Sequence, residues 1–154
     1  VAEEPVHGRL GVRIASAVAL GAGAIAVTVA GGWVFAIAML AVALVMAWEW
    51  LRLVGAPRAW QLYPAVAAVW IAAAGLPAWA SLIVLAAAVG GLWLVRSLGR
   101  AAAEGGDAWV AAGCAYVGVP LVAILWLRGG PESGAWVVLW LFAVVWATDT
   151  GAYV

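Results

Sequence analysis

The side chains best able to do chemistry stand together in "WATDTGAYV", Trp146 to Val154. Asp149 supplies a carboxylate, Thr148, Thr150 and Tyr153 supply hydroxyls, and Gly151 lets a ligand approach the backbone. Such a set suits the binding of a polar or ionic group in a cavity open to water. The same residues also fit a plainer role, in which Asp149 ends an apolar helix in the headgroup region of a membrane. Position alone leaves both readings open, because an ionised acid costs about 2.5–3.5 kcal/mol at the middle of a span and less near its edge. Glu49, in "AWEWLRL", raises the same question, and there Arg52 at i+3 offers a simple ion pair.

The elements that position these groups follow from composition. The chain is 69% apolar and 9% charged, with a mean hydropathy of +1.15. A soluble domain carries about 25% charged residues, so this is the composition of a membrane protein. Seven basic residues, all arginine, balance seven acidic ones, and no basic patch points to nucleic acid. The lack of lysine beside abundant Ala, Val, Gly and Trp fits a GC-rich bacterial genome. Cys114 lies among small apolar neighbours and reads as a packing residue, and His7 has no second metal ligand near it.

Uncharged tracts divide into about six membrane spans, since ~20 residues cross a ~30 Å hydrocarbon core. The tract from Ile14 to Trp48 breaks at Gly31-Gly32, and the tract from Ala59 to Val95 breaks at Gly75-Leu76-Pro77. The predicted spans are 14–30, 33–50, 60–76, 78–95, 109–127 and 134–154. Each is too long and continuous for a barrel strand, so the expected fold is an all-α polytopic bundle. No cleavage-site pattern follows the first apolar stretch, which reads as a helix of the mature protein. With the N-terminus in the cytoplasm, Arg9, Arg13, Arg52, Arg58, Arg96 and Arg100 fall on the cytoplasmic side and Arg128 on the other. That asymmetry obeys the positive-inside rule and places Asp149 toward the cytoplasm.

Trp33, Trp48, Trp50, Trp60, Trp79, Trp109 and Trp136 fall at predicted span ends and read as an interfacial belt. Small residues four apart, Ala22/Ala26/Ala30, Ala86/Gly90 and Ala111/Ala115, are expected to bring helices close. "GAGAIA", Gly21 to Ala26, superficially matches a dinucleotide-binding pattern but follows no strand. The polar stretch from Arg96 to Asp107 is the longest connection; a solvated loop is its simplest reading, with an anionic contact through Arg96 and Arg100 as the alternative.

"WATDTGAY" resembles the motif that opens the C-terminal half of the bacterial phosphatidate cytidylyltransferases, the CDP-diacylglycerol synthases. Weaker stretches agree in order: "RIASAVALG" from Arg13, "GGWVFA" from Gly31, "EWLRL" from Glu49 and "YVGVPLVAILWLR" from Tyr116. The resemblance implies an enzyme of phospholipid biosynthesis in the bacterial inner membrane, with phosphatidate and CTP as substrates and Mg²⁺ as cofactor. It implies Asp149 as metal ligand or as an orienting group one shell out, Asp149, Thr150 and Tyr153 as catalytic residues, and Thr148 and Gly151 as ligand-binding residues. Lipid bilayer is the surrounding medium, nucleic acid is not a partner, and the resemblance leaves room for a homodimer. Family members continue past this motif with basic and acidic segments that do not follow Asp149 here. The resemblance therefore implies an N-terminal portion, with the C-terminal catalytic half absent and no activity from these residues alone. The competing readings are a transporter or channel-like bundle, which calls for ionisable residues on several spans, a purely structural membrane partner, and a related membrane kinase using CTP on a lipid alcohol.

Overall fold

Gly31 breaks the first apolar tract because it takes φ 61°, ψ −156°, and Gly32 follows at φ 50°; only glycine enters this region without strain. A computed structural model describes residues 6–98, 107–130 and 132–152, the side chains of residues 6–10, 13, 14 and 107 excepted. Among these residues the fold is all-α. The helices are α1 (Val6–Ala30), α2 (Gly32–Leu53), α3 (Leu62–Gly75), α4 (Ala78–Leu98), α5 (Asp107–Gly129) and α6 (Gly134–Gly151). The breaks at Gly31-Gly32 and at Leu76-Pro77 fall where the sequence places them.

Four helices, α2, α4, α5 and α6, are long and apolar enough to cross a membrane. The other two helices, α1 and α3, carry shorter apolar stretches among the described residues. The apolar part of α1 is Ala15–Ala30, and α3 has 14 residues, about 21 Å at 1.5 Å per residue. α3 starts later than predicted because Val54 to Gln61 runs as consecutive turns around Gly55, at φ 69°, and Pro57. The span predicted for 134–154 ends as helix at Gly151, and Tyr153 and Val154 lie outside the described residues.

Side-chain contacts fix the helix directions. Trp50, near the end of α2, donates its indole N–H to the Trp109 carbonyl near the start of α5, at 2.8 Å. Trp70, near the end of α3, donates to the Ala36 carbonyl near the start of α2, at 2.7 Å. Trp146 of α6 packs on Gly21 of α1 at 3.6 Å, and Leu85 of α4 fills the space beside Gly118 of α5. Thus α1, α3 and α5 run one way and α2, α4 and α6 the other. One end of the bundle carries Arg52, Arg58, Arg96 and Asp149, and the other carries Arg128. Arg100 and Glu104 lie outside the described residues.

α5 is the central helix: half of its apolar window (50%) is buried, against 11% for α6. Val110, Cys114, Val117, Leu121 and Leu125 form its buried stripe at helical spacing. Gly113 and Gly118 make the close approach possible, because a Cβ there would collide with the Trp50 indole and the Leu85 side chain. Of the small-residue pairs, Ala111 is buried and Ala115 half-buried as expected. Ala22, Ala26, Ala30, Ala86 and Gly90 are exposed, so they bring no helices of this chain together. α1 presents Gly21 and Thr28 instead, and α4 presents Ser81, Leu85 and Leu92. Six of the seven span-end tryptophans are exposed, as a belt requires; Trp50 is the exception, half-buried and stacked on Tyr116 at 4.8 Å.

The end of α1 is closed in part by a donor from elsewhere in the chain. The last carbonyls of α1 have no partners within the helix. Gly31 N–H takes Val27 O at 3.0 Å, while Arg128 of α5 donates from Nε to Thr28 O at 2.7 Å and from Nη2 to Val29 O at 3.4 Å. A Cβ on Gly31 would strike that guanidinium. Glycine is thus required at this position for two reasons.

Two measurements check this packing. Gly113→Ala should lower stability by about 1–3 kcal/mol, the scale of core overpacking, whereas Gly90→Ala, with open space around it, should leave the melting temperature unchanged or slightly raised; equal effects in detergent would contradict the central place of α5. Cys114 is buried and unpaired, so a maleimide should label it in denatured protein and leave it unmodified in the folded chain.

Candidate functional site at the end of the sixth helix

The inward stripe of α6 runs Val138, Phe142, Trp146 at successive turns, with Phe142 and Trp146 stacked at 5.9 Å and Trp146 on Gly21 of α1. Helical spacing continues this stripe to Thr150, with Asp149 beside it. Asp149 lies fifteen residues beyond the start of α6 at Gly134, about 22 Å along the axis. It is therefore in the last turn of the helix, one turn past the Trp146–Gly21 contact.

Asp149, Thr150 and Gly151 are all exposed. Asp149 makes no hydrogen bond or ion pair among the described residues. Helix stability does not explain an acid here. The C-terminal end of a helix carries partial negative charge, which disfavours a carboxylate by about 0.3–1 kcal/mol, and the last turn of α6 has no basic residue to offset it. The carboxylate is left with both oxygens available to a ligand.

Thr148 is engaged with its own helix. Its hydroxyl donates back along its own helix, to Val145 O at 2.8 Å and Val144 O at 3.0 Å, so it does not donate to Asp149. It also lies off the stripe that Trp146 and Thr150 share. Thr150 makes no hydrogen bond among the described residues, so its hydroxyl is available to a ligand, and Tyr153 lies outside the described residues. Arg52 departs from the expected ion pair as well: its guanidinium lies over the Trp48 ring, 4.8 Å from the centroid, rather than on Glu49.

Among the described residues no group of three or more His, Cys, Asp or Glu side chains could hold a metal ion. The donor chemistry still fits one coordination position of Mg²⁺, which typically uses one or two carboxylates and completes its shell with water and substrate phosphates. Asp149 lines neither of the two cavities described. One, of about 970 Å³, opens at the Arg128 end. The other, of about 360 Å³ and almost wholly apolar, lies between α2, α5 and α6 around Met39, Met46 and Pro120. Two features of the Asp149 end escaped sequence reasoning. The Trp50–Tyr116 stack ties α2 to α5 there, and Gln61 Oε1, where the turns lead into α3, is buried without a hydrogen-bond partner. The only signal for the first was Gly113, whose missing side chain leaves room for an indole; nothing in the sequence marked the second.

Comparison with known proteins adds a family to this geometry. The chain is 31% identical over 148 residues to the phosphatidate cytidylyltransferases of Brucella suis biovar 1 (strain 1330) and Brucella melitensis biotype 1 (strain 16M). A phosphatidate cytidylyltransferase of Brucella abortus biovar 1 (strain 9-941) shows the same identity. Each alignment covers 92% of this chain and 52% of the relative, so the chain spans about half the length of the curated relatives it matches. No solved structure matches at a significant level. The model of the cytidylyltransferase family matches residues 11–154, and with nearly the whole chain inside that match, the protein belongs to the cytidylyltransferase family.

Proposed function

We propose that these residues form the membrane-embedded N-terminal portion of a phosphatidate cytidylyltransferase, which joins phosphatidate to CTP and releases pyrophosphate. The observation that carries the reading is Asp149: a carboxylate without a partner among the described residues, in the last turn of an apolar helix, inside a chain whose family match runs from residue 11 to residue 154. The reaction supplies a reason for its position. A two-tailed lipid substrate stays in the bilayer while CTP is dissolved in water, so the reacting groups must meet at one face of a helical bundle. Asp149 sits at the end that also gathers Arg52, Arg58 and Arg96, which the positive-inside rule assigns to the cytoplasm. In this proposal α1, with 25 residues, and the shorter α3 complete a six-span bundle with the other four helices.

In the reaction a phosphate oxygen of phosphatidate attacks the α-phosphorus of CTP, a P–O bond forms, and the bond to pyrophosphate breaks. Displacement of this kind needs positioned groups and neutralisation of developing charge more than covalent help from the protein. Asp149 would hold Mg²⁺, which when bound supplies that neutralisation. Thr150 would orient the carboxylate or donate to a phosphate oxygen. Thr148, engaged with its own helix, would fix the last turn of α6 rather than touch substrate. Gly151 keeps the surface beside the acid open.

The test is CTP-dependent pyrophosphate release with phosphatidate in mixed micelles, using the product of the whole reading frame. Asp149→Asn should lower turnover by about 100-fold or more, the effect of removing one electrostatic group from a transition state. Thr148→Val should change it less than about threefold, on the scale of a lost hydrogen bond within a membrane helix. Near-normal turnover in Asp149→Asn would remove the acid from the reaction.

A further inference from the structure

The cavity of about 970 Å³ at the Arg128 end lies far from Asp149, at the opposite end of α6. Phe35, Ala36, Leu125 and Val137 give it an apolar floor, and Trp33 and Trp126 stand exposed at its edge. Arg128 also lines it, half-buried. A guanidinium has five N–H donors in a fixed fork. Two of them hold the end of α1 through Thr28 O and Val29 O, so closing that helix engages only part of the group. Three donors and a full positive charge remain on a side chain that borders open space.

The surroundings specify what would meet them. Among the turns at this end, Gly31, Gly75 to Pro77 and Gly129 to Ser133, no other basic residue occurs, and the acidic Glu132 is exposed and does not line the cavity. A single cation above an apolar floor, edged by exposed indoles, matches a phosphodiester with a hydrocarbon chain attached. Indoles favour the headgroup level of a bilayer, and a phosphate accepts charge-assisted hydrogen bonds from a guanidinium more strongly than from neutral donors. A free phosphate ion would use the charge and leave the apolar floor in water.

We propose that this cavity is a phospholipid-binding site, with the lipid phosphate on Arg128 and one acyl chain along the floor, in the leaflet at the end of the bundle remote from Asp149. The site holds a structural lipid that closes the seam between α2, α3, α5 and α6. It rests on the membrane placement proposed above and not on the reaction; recovery of the chain in the membrane fraction tests that placement separately.

Native mass spectrometry of the detergent-purified product of the whole reading frame, titrated with palmitoyl-oleoyl phosphatidylglycerol, provides the test. One lipid should be retained, while dioleoylglycerol, which has the chains without the phosphate, and inorganic phosphate, which lacks the chains, should each be lost. Arg128→Gln should weaken retention about tenfold or more, the scale of a hydrogen bond to a charged group. Equal retention of dioleoylglycerol, equal stabilisation by inorganic phosphate, or unchanged retention in Arg128→Gln would each overturn the proposal. Because that variant also removes the Thr28 contact that holds the end of α1, a second measurement uses the unaltered protein: a phosphatidylglycerol with a photoreactive acyl chain should label the segments around Phe35 and Leu125 to Val137. Labelling confined to other segments, or cross-links only between two copies of the chain, would show a different occupant.

Discussion

Close approach to α5 is the constraint on which the bundle depends. An apolar helix gains nothing from hiding among other apolar helices when its alternative is hydrocarbon, so association must come from tight packing and from hydrogen bonds between helices. α5 provides both. Gly113 and Gly118 remove bulk where Trp50 and Leu85 enter, and the entry of Trp50 brings its indole N–H onto the Trp109 carbonyl. A larger residue at Gly113 would disturb the van der Waals contact and the hydrogen bond together. The buried stripe from Val110 to Leu125 then meets α2, α3 and α4 around this pair of notches.

The same economy governs the polar groups. Thr28 and Ser81, both fully buried, return their hydroxyls to carbonyls one turn back, Ala24 at 2.7 Å and Pro77 at 3.2 Å, and Trp70 gives its N–H to Ala36 O. Arg128 attaches α5 to the open end of α1. Thr148 likewise satisfies itself within its own helix, whereas Asp149 makes no such bond among the described residues. A carboxylate cannot do so: it is acceptor-only when ionised, and the backbone N–H groups of the last turn are already engaged along the helix. It needs a donor or a cation from outside its own helix.

Helix boundaries were legible because they depend on breakers that act locally. Gly31-Gly32, Leu76-Pro77 and Gly134 sit where the sequence puts them, within a few residues. Helix faces were less legible. α1 and α4 carry small residues all round, so spacing alone could not choose between Ala22/Ala26/Ala30 and the face with Gly21 and Thr28 that packs. Trp50 looked like its exposed neighbours because nothing in its own segment reveals the notch at Gly113, which lies some sixty residues later. The length of α3 was overestimated because hydropathy runs on through Ala59 and Trp60, while Gly55 and Pro57 hold that stretch in turns. For the candidate site, residue type pointed to Asp149, but the roles of its neighbours turned on geometry. Two adjacent-looking threonines differ because Thr150 follows Trp146 by one full turn and Thr148 does not.

The two ends of the bundle therefore divide the physical work. At the Arg128 end a cation fastens α1 to α5, and Gly31 makes room for it, so the seam is held by contacts that tolerate little movement. At the Asp149 end α6 rests on α1 through Trp146 on Gly21, and the side chains of its last turn are exposed. A helix anchored at its start and open at its end can present an acid to a ligand while the scaffold behind it stays fixed. Reversing the arrangement would bury the carboxylate beside the guanidinium, where the pair would neutralise each other and leave neither for a phosphate. Separation by about 22 Å of helix keeps the structural charge and the chemical one from cancelling.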